Sequence, residues 1–278
     1  FFAFSVRERR HYQRQAAVIA DWVERGATVE SHARGPAWWR ALLGEDYVTV
    51  TSVRLGFAPT DEDLRALADM AEVEQLELWI SDASSQDFEP LRRLKNLRIL
   101  ALAGAIDDDD LAFLDHLPQL ATLTLMGTRV RGPGLAHLRH SHLEELRITD
   151  ALPFPFLQNR AGVAPAILEE FRSEYLVAAR QTLRTLELES PSLENFELAG
   201  FEKLQSLEVI MDRDGELHLA DLPSLAELDL IGTDLESVPR VLRLRNLPNL
   251  KELELFVAER HATGEEPPLT WSLADLPG

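Results

Sequence analysis

Cysteine is absent from the 278 residues. Disulfide staples, thiolate metal sites and cysteine nucleophiles are therefore all excluded, and a reducing compartment is compatible but not required. Long apolar runs are missing as well. No stretch of about 20 apolar residues occurs, so nothing in the chain spans a bilayer as a helix. Basic residues are scarce, 28 against 47 acidic ones, which leaves a formal net charge of −19. Binding to phosphate backbones needs a basic footprint, so nucleic acid is not an expected partner. A basic or neutral protein surface is favoured instead. No Gly-rich phosphate loop, nucleophile elbow or HExxH run is present. The enzyme reading thus rests on no feature, and no cofactor is expected.

What is present is repetition. Leu97-Arg98-Ile99-Leu100-Ala101-Leu102 returns as Leu120-Ala121-Thr122-Leu123-Thr124-Leu125 and again as Leu143-Glu144-Glu145-Leu146-Arg147-Ile148. Each unit reads apolar-x-x-apolar-x-apolar, and a second apolar pattern such as Leu111, Phe113, Leu114 and Leu117 lies between units. The middle apolar positions are Val53, Leu76, Leu100, Leu123, Leu146, Leu186, Leu207, Leu228 and Leu253. By subtraction they are 21 to 25 residues apart, except for a step of 40 between Leu146 and Leu186. Leucines at these offsets and this period predict an α/β leucine-rich-repeat solenoid. Its parallel strands line the concave face, and helices or turns pack behind them on the convex face.

Residues 6–25 are predicted as a helix ended by Gly26, followed by a short edge strand over Thr28 to Glu30. A second short helix is expected over Pro36 to Leu43, with proline in its first turn. Trp22, Trp38 and Trp39, three of the five tryptophans, lie here, and their expected role is to cover the open end of the first repeat. The domain expectation is an N-terminal helical cap over residues 1–47, then the solenoid over 48–278 with an insertion at about 150–182. That insertion combines a Pro153-Phe154-Pro155-Phe156 loop with an amphipathic helix from Ala164 to Arg180. Thr60-Asp61-Glu62-Asp63 and the quartet Asp107 to Asp110 are expected to start convex helices, with calcium the alternative for the quartet. Beyond Leu186 the alternation Gly215-Glu216-Leu217-His218-Leu219 predicts an extended segment on the outer face, and curvature that changes between the halves.

The segment from Arg14-Gln15-Ala16-Ala17-Val18 to Gly26 and the run Pro36-Ala37-Trp38-Trp39-Arg40-Ala41-Leu42-Leu43-Gly44-Glu45-Asp46-Tyr47 precede Gly127-Thr128-Arg129-Val130 and Gly134-Leu135-Ala136-His137-Leu138. Over residues 7–149 this resembles the leucine-rich-repeat proteins of planctomycete-type bacteria. The resemblance implies a membrane anchor, a small cap and then the array. The opening Phe1-Phe2-Ala3-Phe4 with Arg7, Arg9 and Arg10 then reads as the end of such an anchor, which places the array on the cytoplasmic side. The other reading is an arbitrary boundary. One departure stands out: the Asn or Cys expected after each strand is Ala105, Thr128, Ala151, Asp212, Thr233 or Ala258. A ladder of asparagine side chains after the strands is therefore not expected.

In a stack of parallel strands the positions between buried leucines form columns on the concave face. One such column reads Arg54, Glu77, Ala101, Thr124, Arg147, Glu187, Glu208, Asp229, Glu254. Its last four members are acidic, and Glu145, Glu227 and Glu252 deepen the charge in the next column. Beyond the last strand leucine stand Trp79, Met126, Ile210, Ile231 and Phe256. An acidic stripe beside an apolar edge suits a protein or peptide partner with a basic or mixed basic and aromatic surface. The bland alternative is a solvated face on an acidic protein. His116, His137, His140 and His142 raise a metal site, against solvated turn histidines. The functional expectation is a non-enzymatic protein-interaction scaffold. Its alternative is a structural subunit of a larger, possibly membrane-bound, assembly.

Overall fold

The computed structural model describes residues 2–33, 48–81, 87–149, 173–189, 196–211, 215–232, 239–257 and 270–274. The expected helix at Pro36, with Trp38 and Trp39, lies outside the described residues, as do the Pro153–Phe156 loop, residues 259–268 and the post-strand positions 151, 212, 233 and 258.

The chain opens with helix α1 (Phe2–Glu24). Gly26 closes it at φ +95, a conformation that glycine adopts without a Cβ penalty. The Gly26 N–H donates to the Val23 carbonyl at 3.0 Å and the Ala27 N–H to the Trp22 carbonyl at 2.8 Å, the paired bonds of a Schellman stop. Strand β1 (Thr28–Ala33) follows and pairs antiparallel with β2 (Val48–Leu55). Helix α2 (Asp61–Ala68) is capped by Thr60, whose side chain accepts from the Asp63 N–H while Asp63 reaches back to the Thr60 N–H.

Thereafter strands recur: β3 (Gln75–Ile80), β4 (Ile99–Gly104), β5 (Thr122–Met126), β6 (Glu145–Thr149), β7 (Thr185–Glu189), β8 (Phe196–Ala199), β9 (Ser206–Met211), β10 (Gly215–Ala220), β11 (Glu227–Gly232), β12 (Pro239–Arg245), β13 (Glu252–Val257) and β14 (Thr270–Ala274). A ten-stranded sheet runs in the order β1-β2-β3-β4-β5-β6-β7-β9-β11-β13, parallel from β2 onward. A four-stranded parallel sheet runs β14-β12-β10-β8. The molecule is thus mixed α/β with one large parallel sheet.

Alternation explains the strands. In β3, β5, β7, β9 and β11 every second side chain is buried, and those side chains are leucine, isoleucine, valine or methionine, closed by Gly232 in β11. Leu76, Leu100, Leu123, Leu146, Leu186, Leu207 and Leu228 stack in register and are at most 2% exposed. Each such burial contributes roughly 1.5–3 kcal/mol. The segments between strands close the other side of this core. In the first half they are α2 and the 3-10 helices Glu89–Arg93, Asp109–His116 and Pro133–His140, which bury Leu91, Leu111, Phe113, Leu114, Leu135 and Leu138. In the second half they become strands β8, β10 and β12, with Leu198, Leu217, Leu219, Leu242 and Leu244 buried. The expected extended segment at Gly215 is β10.

One expectation is corrected. The described end of the predicted Ala164–Arg180 helix, Ser173–Ala179, is 3-10 helix interrupted at Leu176 (φ −104, ψ 16), with Leu176 and Ala179 buried. Within the acidic quartet, Asp107 and Asp110 serve the start of their own helix, and Asp108 reaches further: it accepts from the N–H groups of Arg131, Gly132 and Gly134 on the next turn at 2.9, 3.1 and 2.7 Å. Asp107 accepts from the Asp109 N–H, and Asp110 from the Asp107 N–H.

Backbone and side-chain ladders join the turns ahead of the strands. The carbonyls of Glu74, Arg98, Ala121, Glu144, Arg184, Gln205 and Ala226 each accept two successive N–H groups of the following turn. Just before an inward-packed leucine (Leu97, Leu143, Leu225 and the partly buried Leu250), the side chains of Asn96, His142, Ser224 and Asn249 donate to the carbonyls of Ala71, Pro118, Glu202 and Pro223 one turn back.

Candidate interaction surface

The exposed side of the ten-stranded sheet is built by the residues that alternate with the buried leucines. Strand pairing places Arg54, Glu77, Ala101, Thr124, Arg147, Glu187, Glu208, Asp229 and Glu254 opposite one another in unbroken sequence. Neighbours in this column sit about 4.8 Å apart across the sheet. The column to one side reads Ser52, Gln75, Ile99, Thr122, Glu145, Thr185, Ser206, Glu227, Glu252. The column to the other reads Trp79, Ala103, Met126, Thr149, Glu189, Ile210, Ile231, Phe256.

The charges divide along the sheet. In the first part each carboxylate has a cation beside it. Arg54 Nε lies 2.5 Å from Glu77 Oε2, while Arg147 Nε lies 2.6 Å from Glu145 and 3.5 Å from Glu187. From Glu208 onward the pattern changes. Among the described residues no basic side chain pairs with Glu208, Asp229, Glu254, Glu227 or Glu252. Glu187, Glu208 and Asp229 are half-buried, whereas Glu227, Glu252 and Glu254 are exposed. The Glu208 carboxyl is pushed up from its ordinary value, first by burial and then by the charges of Glu187 and Asp229. Arg147 pulls it down and Glu189 adds to the rise. Like charges on adjacent strands oppose folding, so this part of the sheet carries a cost that neutral residues would not.

The apolar edge is shorter than the sequence pattern suggests. Ile210, Ile231 and Phe256 lie on three adjoining strands beside Glu208, Asp229 and Glu254. Trp79 lies on β3, five strand steps from Ile210, with Thr149 and Glu189 filling the column between Met126 and Ile210. The structure therefore gathers nine of the ten candidate residues (Glu187, Glu208, Asp229, Glu254, Glu227, Glu252, Ile210, Ile231, Phe256) and leaves Trp79 apart.

His137 and His142 join neighbouring turns. His137 Nδ1 lies 2.8 Å from Asp115 Oδ2, and Arg139 Nε lies 2.9 Å from Asp115 Oδ1. His142 Nδ1 donates to the Pro118 carbonyl at 3.0 Å. Burial pushes the Asp115 carboxyl up, but His137 and Arg139 bring it below its ordinary value. Among the described residues no group of three or more His, Asp or Glu side chains is gathered to hold a metal ion.

A second polar cluster lies at the start of the chain. Asp63, whose side chain is 8% exposed, accepts from the Trp22 indole N–H at 2.7 Å and from both Arg25 guanidinium nitrogens at 3.0 and 3.1 Å. The Thr60 N–H and hydroxyl also donate to it, at 2.8 and 2.9 Å. The Arg25 guanidinium stacks 3.7 Å over the Phe57 ring. Burial alone would push the Asp63 carboxyl up, but the bonds from Arg25, Thr60 and Trp22 outweigh it and hold it at about 2. The local sequence marks Asp63 only as a helix-start residue; the further signal is Trp22 and Arg25, three apart where α1 ends.

No protein-family model matches the chain, and no curated protein matches it. Among solved structures, the chain is similar to an internalin from Listeria monocytogenes, with 18% identity and a TM-score of 0.39 over 73% of this chain. The match spans 66% of the internalin, just under two thirds of its length. That likeness is distant, and the functional reading is built on strand register and side chains alone.

Proposed function

We propose that the chain is a leucine-rich-repeat solenoid, with residues 1–47 as an N-terminal helical cap, acting as a non-enzymatic protein-interaction scaffold. It binds a protein or peptide with a basic or mixed basic and aromatic surface through Glu187, Glu208, Asp229, Glu254, Glu227 and Glu252. Ile210, Ile231 and Phe256 supply the apolar margin, and Trp79 a separate contact near the other end. The observation that carries this reading is the change within one column from paired to unpaired charge. Up to Glu187 the column neutralises itself, and from Glu208 onward it presents carboxylates without internal partners. A cationic partner relieves that repulsion on binding, which makes the cost of the stripe recoverable only in the complex.

Replacing Glu208, Asp229 and Glu254 together by serine tests it. Against a series of synthetic peptides of graded net charge, the parent protein should bind lysine- and arginine-rich members, and more weakly as salt is raised. The triple variant should lose at least about tenfold in affinity for them, equivalent to about 1.4 kcal/mol. Equal affinity of parent and variant would reject this face.

A further inference from the structure

Strands β7, β9 and β11 lie inside the ten-stranded sheet, and each is hydrogen-bonded on both sides: β7 to β6 and β9, β9 to β7 and β11, β11 to β9 and β13. Their main-chain N–H and C=O groups are therefore taken, and a partner reaches them only through side chains on the open face. Three rows of side chains cross these strands there. Thr185, Ser206 and Glu227 form the first, Glu187, Glu208 and Asp229 the second, and Glu189, Ile210 and Ile231 the third. The second row holds one half-buried carboxylate per strand, and Ile210 and Ile231 are half-buried beside it. Burial and then the charges of Glu187 and Asp229 push the Glu208 carboxyl up, so the three carboxylates lie within one another's field.

The spacing of the acidic row selects the form of what lies on it. Neighbouring strands are about 4.8 Å apart, so the row sets its carboxylates at about 0, 4.8 and 9.6 Å. An extended segment running along the row repeats a side chain on one face about every 6.8 Å, which puts its third cation about 4 Å out of step. An α-helix running the same way sets residues i, i+3 and i+7 on one face at about 0, 4.5 and 10.5 Å, within about 1 Å of the row. A helix also satisfies its own main chain, whereas an extended segment on a closed sheet face leaves its N–H and C=O groups to water. Residues i+4 and i+8 stand about a quarter turn from that stripe, about 7–8 Å away on a helix about 10–12 Å across. The row of Ile210 and Ile231 lies two residues along each strand from the carboxylates, about 6.8 Å away.

We propose that this face receives an amphipathic α-helix of another protein, lying across β7, β9 and β11. Lysine or arginine at i, i+3 and i+7 sits over Glu187, Glu208 and Asp229, and apolar residues at i+4 and i+8 sit over Ile210 and Ile231. That these carboxylates bind a partner at all rests on the function proposed above, whereas the helical form follows from the row spacing. Arg147 already stands 3.5 Å from Glu187. The cations over Glu208 and Asp229 therefore carry more of the binding than the one over Glu187.

Fluorescence anisotropy of labelled synthetic peptides, titrated with the full chain, tests this. Short helices are marginal alone, so every peptide carries the same staple on its far face. One peptide has lysine at i, i+3 and i+7 and leucine at i+4 and i+8 on an alanine background. A second has the same composition with its lysines dispersed around the helix. The first should bind at least about tenfold tighter, and alanine for lysine at i+3 or i+7 should weaken it more than at i. Ile210→Ser with Ile231→Ser should weaken the first peptide and leave a version without leucines unaffected. Equal affinity for the two peptides, lost for both in Glu208→Gln with Asp229→Asn, would keep the acidic face and overturn the helix. No affinity for either, or affinity that ignores those charge variants, would reject the acidic face and the helix with it. A concentration-dependent dimer in sedimentation that shuts out the peptide would overturn the proposal in favour of a second copy of this chain.

Discussion

Asp63→Asn isolates the contact that ties α1 to the first repeat. The parent carboxylate accepts five hydrogen bonds, from Trp22, both nitrogens of Arg25, and the Thr60 N–H and hydroxyl. An amide in its place keeps one acceptor oxygen and turns the other position into a donor. That donor faces either the guanidinium or the indole N–H, so at least one buried donor loses its acceptor and Arg25 loses its counter-charge. Breaking such a pair costs about 3 kcal/mol at neutral pH. The pH dependence gives an independent measure. The Asp63 carboxyl titrates at about 2 in the folded chain against 3.8 in its absence. Being depressed, it stabilises fully above 3.8 and loses that contribution as pH falls through about 2. At about 1.36 kcal/mol per unit the contribution is about 2 kcal/mol. Urea unfolding of parent and variant, followed by hydrogen exchange in α1, should show a gap of about 3 kcal/mol at pH 6 that narrows to about 1 kcal/mol at pH 2. All other acid-labile groups are common to both proteins and cancel. A gap that stays constant from pH 6 to pH 2, or one below about 1 kcal/mol at pH 6, would refute the assignment of Asp63 as an ionised buried acceptor.

Gly104→Ala should destabilise the chain by about 2 kcal/mol or more in the same assay. Gly104 sits at φ +100, and an added Cβ would lie 2.2 Å from the Ile80 carbonyl oxygen, so backbone has to move. Glu208→Gln should act in the opposite direction, stabilising by about 0.5 kcal/mol at pH 7 through removal of a half-buried charge and relief of its repulsion by Glu187 and Asp229. Because the Glu208 carboxyl titrates above its ordinary value, its ionisation is a penalty that is present at neutral pH and disappears as pH falls through the raised value toward 4.5. The parent should therefore gain stability over that interval relative to the variant, and parallel stability curves would contradict the penalty on the Glu208 charge.

How far the sequence revealed the molecule depends on the range of the interaction behind each feature. The column Arg54 to Glu254 was legible in full, because one parallel strand per repeat converts a sequence offset into a lateral neighbour without any knowledge of side-chain conformation. Which members of that column pair was not legible. Arg147 reaches Glu145 on its own strand and Glu187 on the next, a choice made by rotamers. The outer strands β8 and β12 carry the same alternation as β10, in Phe196-Glu197-Leu198 and Leu242-Arg243-Leu244, but each is short and finds its partner some 21 to 25 residues away. Asp108 and Asp63 were hidden for the same reason. Their local sequence favours an acidic helix start, while the donors they satisfy, at Arg131, Gly132 and Gly134 and at Trp22 and Arg25, stand one turn or one element distant.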